Sequence, residues 1–252
     1  MSVIIDSFPS SNGRYQADYA IVAVDVIRAS TTVVTAATLG RKCFPVTSVE
    51  EALQKRAELP DCLLAGEVAG IKPDGFDLNN SPSHLARRTD VHRPLVLLSS
   101  SGTKLMVQSG ATGAAYVACL RNYKAVAAHI GNRHERIALL GAATQGEFRE
   151  EDQLCCAWIA NELRRFGHQP ENQRTLNLIE QWRRASARAC ATGNSAAYLR
   201  RSNQLDDLNF VLAHVNDVPL ACQLVNGEVL PITVISELPR PKPPAARRRL
   251  AA

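Results

Sequence analysis

The apolar residues of this chain gather in short unbroken runs, "AIVAV", "CLLA", "PLVLL", "AAYVA" and "RIALL", rather than alternating with polar ones. Such runs fit strands buried on both faces, as in a parallel sheet covered by helices. A short polar or glycine-containing loop follows each run, and a helical pattern follows the loop. The pattern predicts an α/β fold with three layers, α/β/α, around a mixed, mostly parallel sheet.

The helices carry punctuation of their own. "SVEEALQKRAEL" places Ser48 as N-cap, with Glu51 three residues later completing a capping box. "NSPSHLARR" places Ser81 as N-cap and Pro82 at the first helical position. "EDQLCCAWIANELRRFG" shows the 3.6-residue period and stops at Gly167. "EQWRRASARACATGNSAAYLRRS" predicts a helix over 180–202, and "CQLVNGEVLPITV" predicts a hairpin turning at Asn226-Gly227.

Composition narrows the class. With 252 residues, 46% of them apolar, the chain suits one α/β domain over 1–236, followed by a disordered basic tail over 237–252. The formal charge of +5 belongs to that tail: without Arg240, Lys242, Arg247, Arg248 and Arg249, 24 basic residues face 24 acidic ones. A neutral body and a tail without aromatics argue against nucleic acid as a partner. No uncharged apolar stretch has membrane-spanning length, and "MSVIIDSFPSSNG" lacks the basic region of a signal peptide, so the expected location is cytoplasmic. The seven cysteines form no CxxC pair and lie mostly in apolar runs, as buried thiols in a reducing compartment do. Zinc is not expected, since none of the six histidines has metal-ligand spacing either.

In α/β sheets, ligands bind outside the carboxyl ends of the strands, and the loops after these runs hold the unusual residues. The first carries Asp25, Arg28, Ser30, Thr31 and Thr32; the second Glu67 and then Asn79, Asn80 and Ser81; the third "SSSGTK", Ser99 to Lys104; the fourth Asn122; the fifth Glu150, Glu151 and Asp152. Ser30 to Thr32 begin a helix whose positive end suits a phosphate, and Arg28 supplies a planar cationic fork. Gly102 lets backbone approach a ligand. Asp25, Glu67, Glu151 and Asp152 converging on one crevice would repel unless they held a hard cation, and oxygen-only donors point to Mg2+. Taken singly each element has a plainer reading: an Asp after a strand caps a turn, and acids opening a helix answer its dipole. Their shared position after strands favours the functional reading.

The ordered motifs "VDVIRASTT", "GE" leading to "GFDLNNSP", "SGT" and "GEFREEDQLCCA", with "LDDLNFVLAHVNDVPL" near the end, resemble those of the 2-phosphosulfolactate phosphatases over roughly residues 3 to 235. The resemblance implies a Mg2+-dependent α/β phosphatase that hydrolyses 2-phospho-3-sulfolactate to 3-sulfolactate and phosphate, on the route to coenzyme M. Asp25, Arg28 and Glu67 are then the expected catalytic residues, and Asp25, Glu67, Glu151 and Asp152 the expected metal ligands. The phosphate and substrate contacts expected are Ser30, Thr31, Asn80, Ser81, Ser101, Gly102, Thr103 and Asn122. Lys104 or the Asn80-Ser81 helix start would meet the second anionic group. Two departures stand out: Ser101 replaces the family's usual Asn, and Asn79 its usual Gly. A covalent route through Asp25 is the rival mechanism, although Ile27 stands where enzymes of that type keep a second Asp. A catalytically silent phosphometabolite binder is the rival class, and the apolar helix faces lead us to expect a homodimer.

Overall fold

A computed structural model of the chain describes residues 1–8, 13–15, 17–111, 113–143 and 146–235. The elements are β1 (Ser2–Ser7), β2 (Ala20–Val24), α1 (Ala29–Thr38), β3 (Cys43–Val46), α2 (Val49–Glu58), β4 (Leu63–Gly66), α3 (Pro82–Ala86) and β5 (Leu95–Leu98). They continue with α4 (Gly102–Ser109), β6 (Ala115–Ala118), α5 (Tyr123–Gly131), β7 (Arg136–Gly141), α6 (Glu150–Leu163) and β8 (Gln169–Pro170). The last are α7 (Gln173–Trp182), α8 (Asn194–Arg201), α9 (Leu205–Ala213), β9 (Leu220–Val225) and β10 (Glu228–Thr233). The five apolar runs are strands β2, β4, β5, β6 and β7. Because side chains alternate across a strand, β2 serves two cores: Ile21 and Ala23 face one, Ala20, Val22 and Val24 the other. Helices α1, α3 and α4 cover the first face, α5, α6 and α7 the second, and α2 packs beyond β3, β4 and β5. These are the three layers expected.

The sheet's order is β4-β5-β3-β10-β9-β6-β2-β7-β1-β8. Two parallel blocks, β4-β5-β3 and β6-β2-β7-β1-β8, are joined through antiparallel β9 and β10. Three successive antiparallel pairings, β3 with β10, β10 with β9 and β9 with β6, make the blocks run in opposite senses. The sheet folds round α1 and α4, which touch strands of both blocks. That curl brings the loops after β4 and β5 to the loop after β2. The β9–β10 turn falls at Asn226 and Gly227, with φ of 50° and 79°, the left-handed pair that a two-residue hairpin requires.

The capping signals are present with one change: Ser48 accepts from the Glu51 amide at 3.2 Å, but the Glu51 carboxylate reaches back to the Thr47 amide at 2.6 Å rather than to Ser48. The helix expected over 180–202 is broken. After α7, the chain makes a short 3-10 turn over Ala187–Ala191, and extended Gly193 precedes α8. The break lets Cys190 reach the core under α6 while Ala196 and Leu199 turn to a separate cluster with Leu208. All seven cysteines are buried free thiols, and among the described residues no helix is long and apolar enough to cross a membrane. The tail over 237–252, and residue 236 before it, lie outside the described residues.

Candidate active site

Where β2 ends, the chain turns through Asp25 into α1. Asp25 Oδ1 accepts from the Ala29 amide at 3.2 Å, while the Ser30 hydroxyl accepts from the Asp25 amide at 3.0 Å and donates to its carbonyl at 2.7 Å. Thr31 donates to the Val26 carbonyl at 2.8 Å, and Thr32 to Asn80 Oδ1 at 2.8 Å. The hydroxyls of Ser30 and Thr31 therefore close the turn, and Thr32 with Asn80 ties it to the chain after β4.

Four acids meet around this turn. Loss of water raises the Asp25 carboxyl from 3.8 to about 7; the Ala29 amide opposes the shift, the Glu67 and Glu151 charges add to it, and Arg28 opposes it. Burial raises Glu151 as well, with Ser195 as the hydrogen-bonding neighbour that pulls it back. Asp152 is pushed well above the usual carboxylate range by burial and then by Asp25 and Glu151. The charges that raise Asp25 and Asp152 place Asp25 beside Glu67, Glu151 and Asp152.

Backbone amides hold oxygens of three of them, Asp25, Glu67 and Asp152. Glu67 accepts from the Ser100 amide and hydroxyl, each at 2.8 Å, and from the Gly70 amide at 2.6 Å; Asp152 accepts from the Val26 amide at 2.8 Å. Among the described residues no three His, Cys, Asp or Glu side chains are arranged as a metal-holding group. The expected four-ligand set is thus a set of near neighbours, three of them with oxygens on amides, not a closed cage. Its chemistry fits a hard cation, since the donors are carboxylate oxygens and one of them, Glu151 Oε2, is buried without a hydrogen-bond partner.

Gly102 explains why the loop after β5 can come so close. A Cβ there would lie 2.0 Å from Asp25 Oδ2 and 2.7 Å from the Ala29 Cβ. Its neighbours divide the work. Ser99 and Thr103 cap one another, with amide-to-hydroxyl distances of 2.9 and 3.0 Å, and Ser100 serves Glu67. Ser101, the N-cap of α4, makes no capping bond with its side chain, and Lys104 is exposed on the first turn. Asn122 stands apart: it accepts from the Cys119 amide at 2.9 Å and donates to the Val117 and Leu220 carbonyls at 3.2 Å, bracing the β6 and β9 ends.

Arg28 is held by Asp207 and Gln204, which the sequence did not single out, and by Asn79, which it did. Its Nη1 donates to Asp207 at 2.7 Å and to Gln204, and its Nη2 reaches Asn79 at 3.5 Å. The ion pair is buried, with 4% of each side chain exposed. The other Asp207 oxygen accepts from the Ser81 hydroxyl at 2.7 Å and from the Ser83 hydroxyl and amide at 2.6 and 3.1 Å. The Asn80-Ser81 helix start therefore already faces an acid of its own chain. Asn79, in the place of a usual glycine, has no left-handed backbone and joins the same web through Gln204 at 3.2 Å. The one signal for Asp207 was the acidic pair in "LDDLN", which follows no apolar strand and so carried no positional weight.

Residues 7–234 match a family model described as 2-phosphosulpholactate phosphatase. A Clostridium perfringens protein named "Probable 2-phosphosulfolactate phosphatase" is 34% identical over 147 residues, 56% of this chain and 60% of that protein. Proteins of the same name from Pseudothermotoga lettingae and Carboxydothermus hydrogenoformans are 36% and 35% identical over 143 and 147 residues. The chain spans about 60% of the length of these relatives.

Proposed function

Because the chain belongs to the 2-phosphosulpholactate phosphatase family, we propose that it is a Mg2+-dependent phosphoric monoester hydrolase that converts 2-phospho-3-sulfolactate to 3-sulfolactate and phosphate. One observation carries the chemical part of the reading: Asp25 is buried beside Glu67 and Glu151, whose charges raise its pKa, and Asp25 and Glu151 in turn raise that of buried Asp152. A chain gathers desolvated acids against their repulsion where a cation is to be bound.

Asp25, Glu67, Glu151 and Asp152 would hold Mg2+ directly or through water. When bound, the ion supplies positive charge to a phosphoryl oxygen and lowers the pKa of an attacking water. The chain's own residues do the rest. Arg28, fixed by Asp207 and Gln204, sets a permanent positive charge beside Asp25. Ser101 and the backbone at Gly102 present donors to phosphoryl oxygens as charge builds on them. Lys104 meets a second acidic group of the substrate. The bond from phosphorus to the ester oxygen breaks, the water oxygen stays on phosphate, and the proton ends on the released hydroxyl.

The test is phosphate release from 2-phospho-3-sulfolactate by the full chain. Turnover that stops in excess chelator and returns with Mg2+ is the expected result. Turnover undiminished by chelator overturns the cation; no turnover of this ester with Mg2+ overturns the substrate; a phosphoryl group trapped on Asp25 after acid quenching replaces direct water attack by the covalent route.

A further inference from the structure

Helix α8 lies against both outer acid loops. A Cβ on Gly193, its N-cap, would sit 3.4 Å from Glu151 Oε2 and 3.5 Å from Glu150 Oε2, so the positive end of the helix faces those carboxylates. Tyr198 lies one turn further along the helix. Its hydroxyl donates to the Gly70 carbonyl at 2.9 Å. The Gly70 amide in turn donates to Glu67 at 2.6 Å, inside a tight turn where Val68 and Ile71 exchange backbone hydrogen bonds of 2.9 and 3.1 Å. No side chain fits between them, because a Cβ on Gly70 would lie 2.1 Å from the Tyr198 hydroxyl. One short helix thus starts beside Glu151 and, one turn later, holds the Glu67 loop through Tyr198.

We propose that Tyr198 is a positioning residue, which from α8 holds the Gly70 turn and through it sets the Glu67 carboxylate for uptake of a divalent cation with Asp25. The inference rests on the cation reading above and adds what sets its affinity. Residues that orient metal ligands without touching the metal typically change its affinity about 10- to 100-fold when removed.

The experiment is a thermal melt of the full chain titrated with MgCl2, which yields an apparent Mg2+ dissociation constant without turnover. KM for the phosphate ester is measured beside it at saturating Mg2+. Tyr198→Phe keeps the ring and removes the hydroxyl that donates to Gly70. Tyr19→Phe is the control, since it loses a 2.7 Å bond to Glu171 that belongs to neither acid loop. The expected result is an apparent constant raised about tenfold in Tyr198→Phe and unchanged in Tyr19→Phe, with KM within about twofold of wild type throughout. If Tyr198→Phe melts lower without Mg2+ but keeps the wild-type constant, Tyr198 is a structural tie and the inference falls while the cation reading stands. A wild-type melt that ignores Mg2+ overturns both.

Discussion

At Gly102 the whole site depends on the absence of one carbon. An added Cβ would meet Asp25 Oδ2 at 2.0 Å, so Gly102→Ala must push the loop after β5 away from Asp25. We expect a loss of about 1–3 kcal/mol in stability and a fall in phosphatase rate; wild-type melting and turnover would show that the two loops are not in contact. Arg28 is the companion case. Its Nη1 serves Gln204 and Asp207 while its Nη2 reaches Asn79, a planar fork that a lysine ammonium cannot copy. Arg28→Lys should lower kcat/KM at least about tenfold, and an unchanged value would remove Arg28 from the site. At this scale Asp25, Arg28, Glu67, Glu151 and Asp152 were legible because each follows an apolar run that could only be a buried strand. Asp207, Gln204, Ser195 and Tyr198 were not, because they follow helices and turns with no strand to point them at a crevice.

Helix α9 shows what a single element contributes. It enters through Asp207, which neutralises Arg28 and gathers the hydroxyls of Ser81 and Ser83, tying α1, α3 and α9 at one buried carboxylate. Asp207→Asn leaves the Arg28 charge without a counterion, and removing one partner of a buried pair costs about 3–5 kcal/mol. Urea unfolding should report that loss; a change under about 1 kcal/mol would place the pair in water after all. Among the elements themselves, the continuous apolar strands and the Asn226-Gly227 hairpin were readable from pattern. Strand β3 was not, because Pro45 argues against a central strand; it is tolerated since β10 pairs with β3 only at Cys43. The helix expected over 180–202 failed for a different reason. Its apolar positions keep helical spacing, but they serve two separate clusters, and periodicity alone does not say that neighbouring turns face different cores.

For the whole molecule, the fold's main feature, two parallel blocks of opposite sense curled round α1 and α4, left no trace in the sequence, since strand order and sense depend on pairings between distant segments. The electrostatic consequence of that curl is measurable. Asp25 is raised from 3.8 to about 7, and Glu151 and Asp152 are raised as well. Carboxyls raised by folding favour the native state while they are protonated, so their stabilisation is complete below about pH 4 and is lost as pH climbs through about 7. A cation needs the deprotonated forms. The rise in Tm produced by Mg2+ should therefore be near zero at pH 5 and several degrees at pH 8; a rise independent of pH would mean that the ion binds elsewhere.

The most direct measurement of the central claim is the Mg2+ dependence of phosphate release in wild type and Asp25→Asn, compared over one titration. Asp25→Asn keeps the size of the side chain and removes one negative donor from the acid cluster. The account predicts that half-maximal rate in the variant requires at least about tenfold more Mg2+ and that part of the wild-type rate returns at the highest concentrations. Wild-type dependence on Mg2+ with full activity in Asp25→Asn would contradict it, as would a variant that is inactive at every Mg2+ concentration while binding the ion as tightly as wild type.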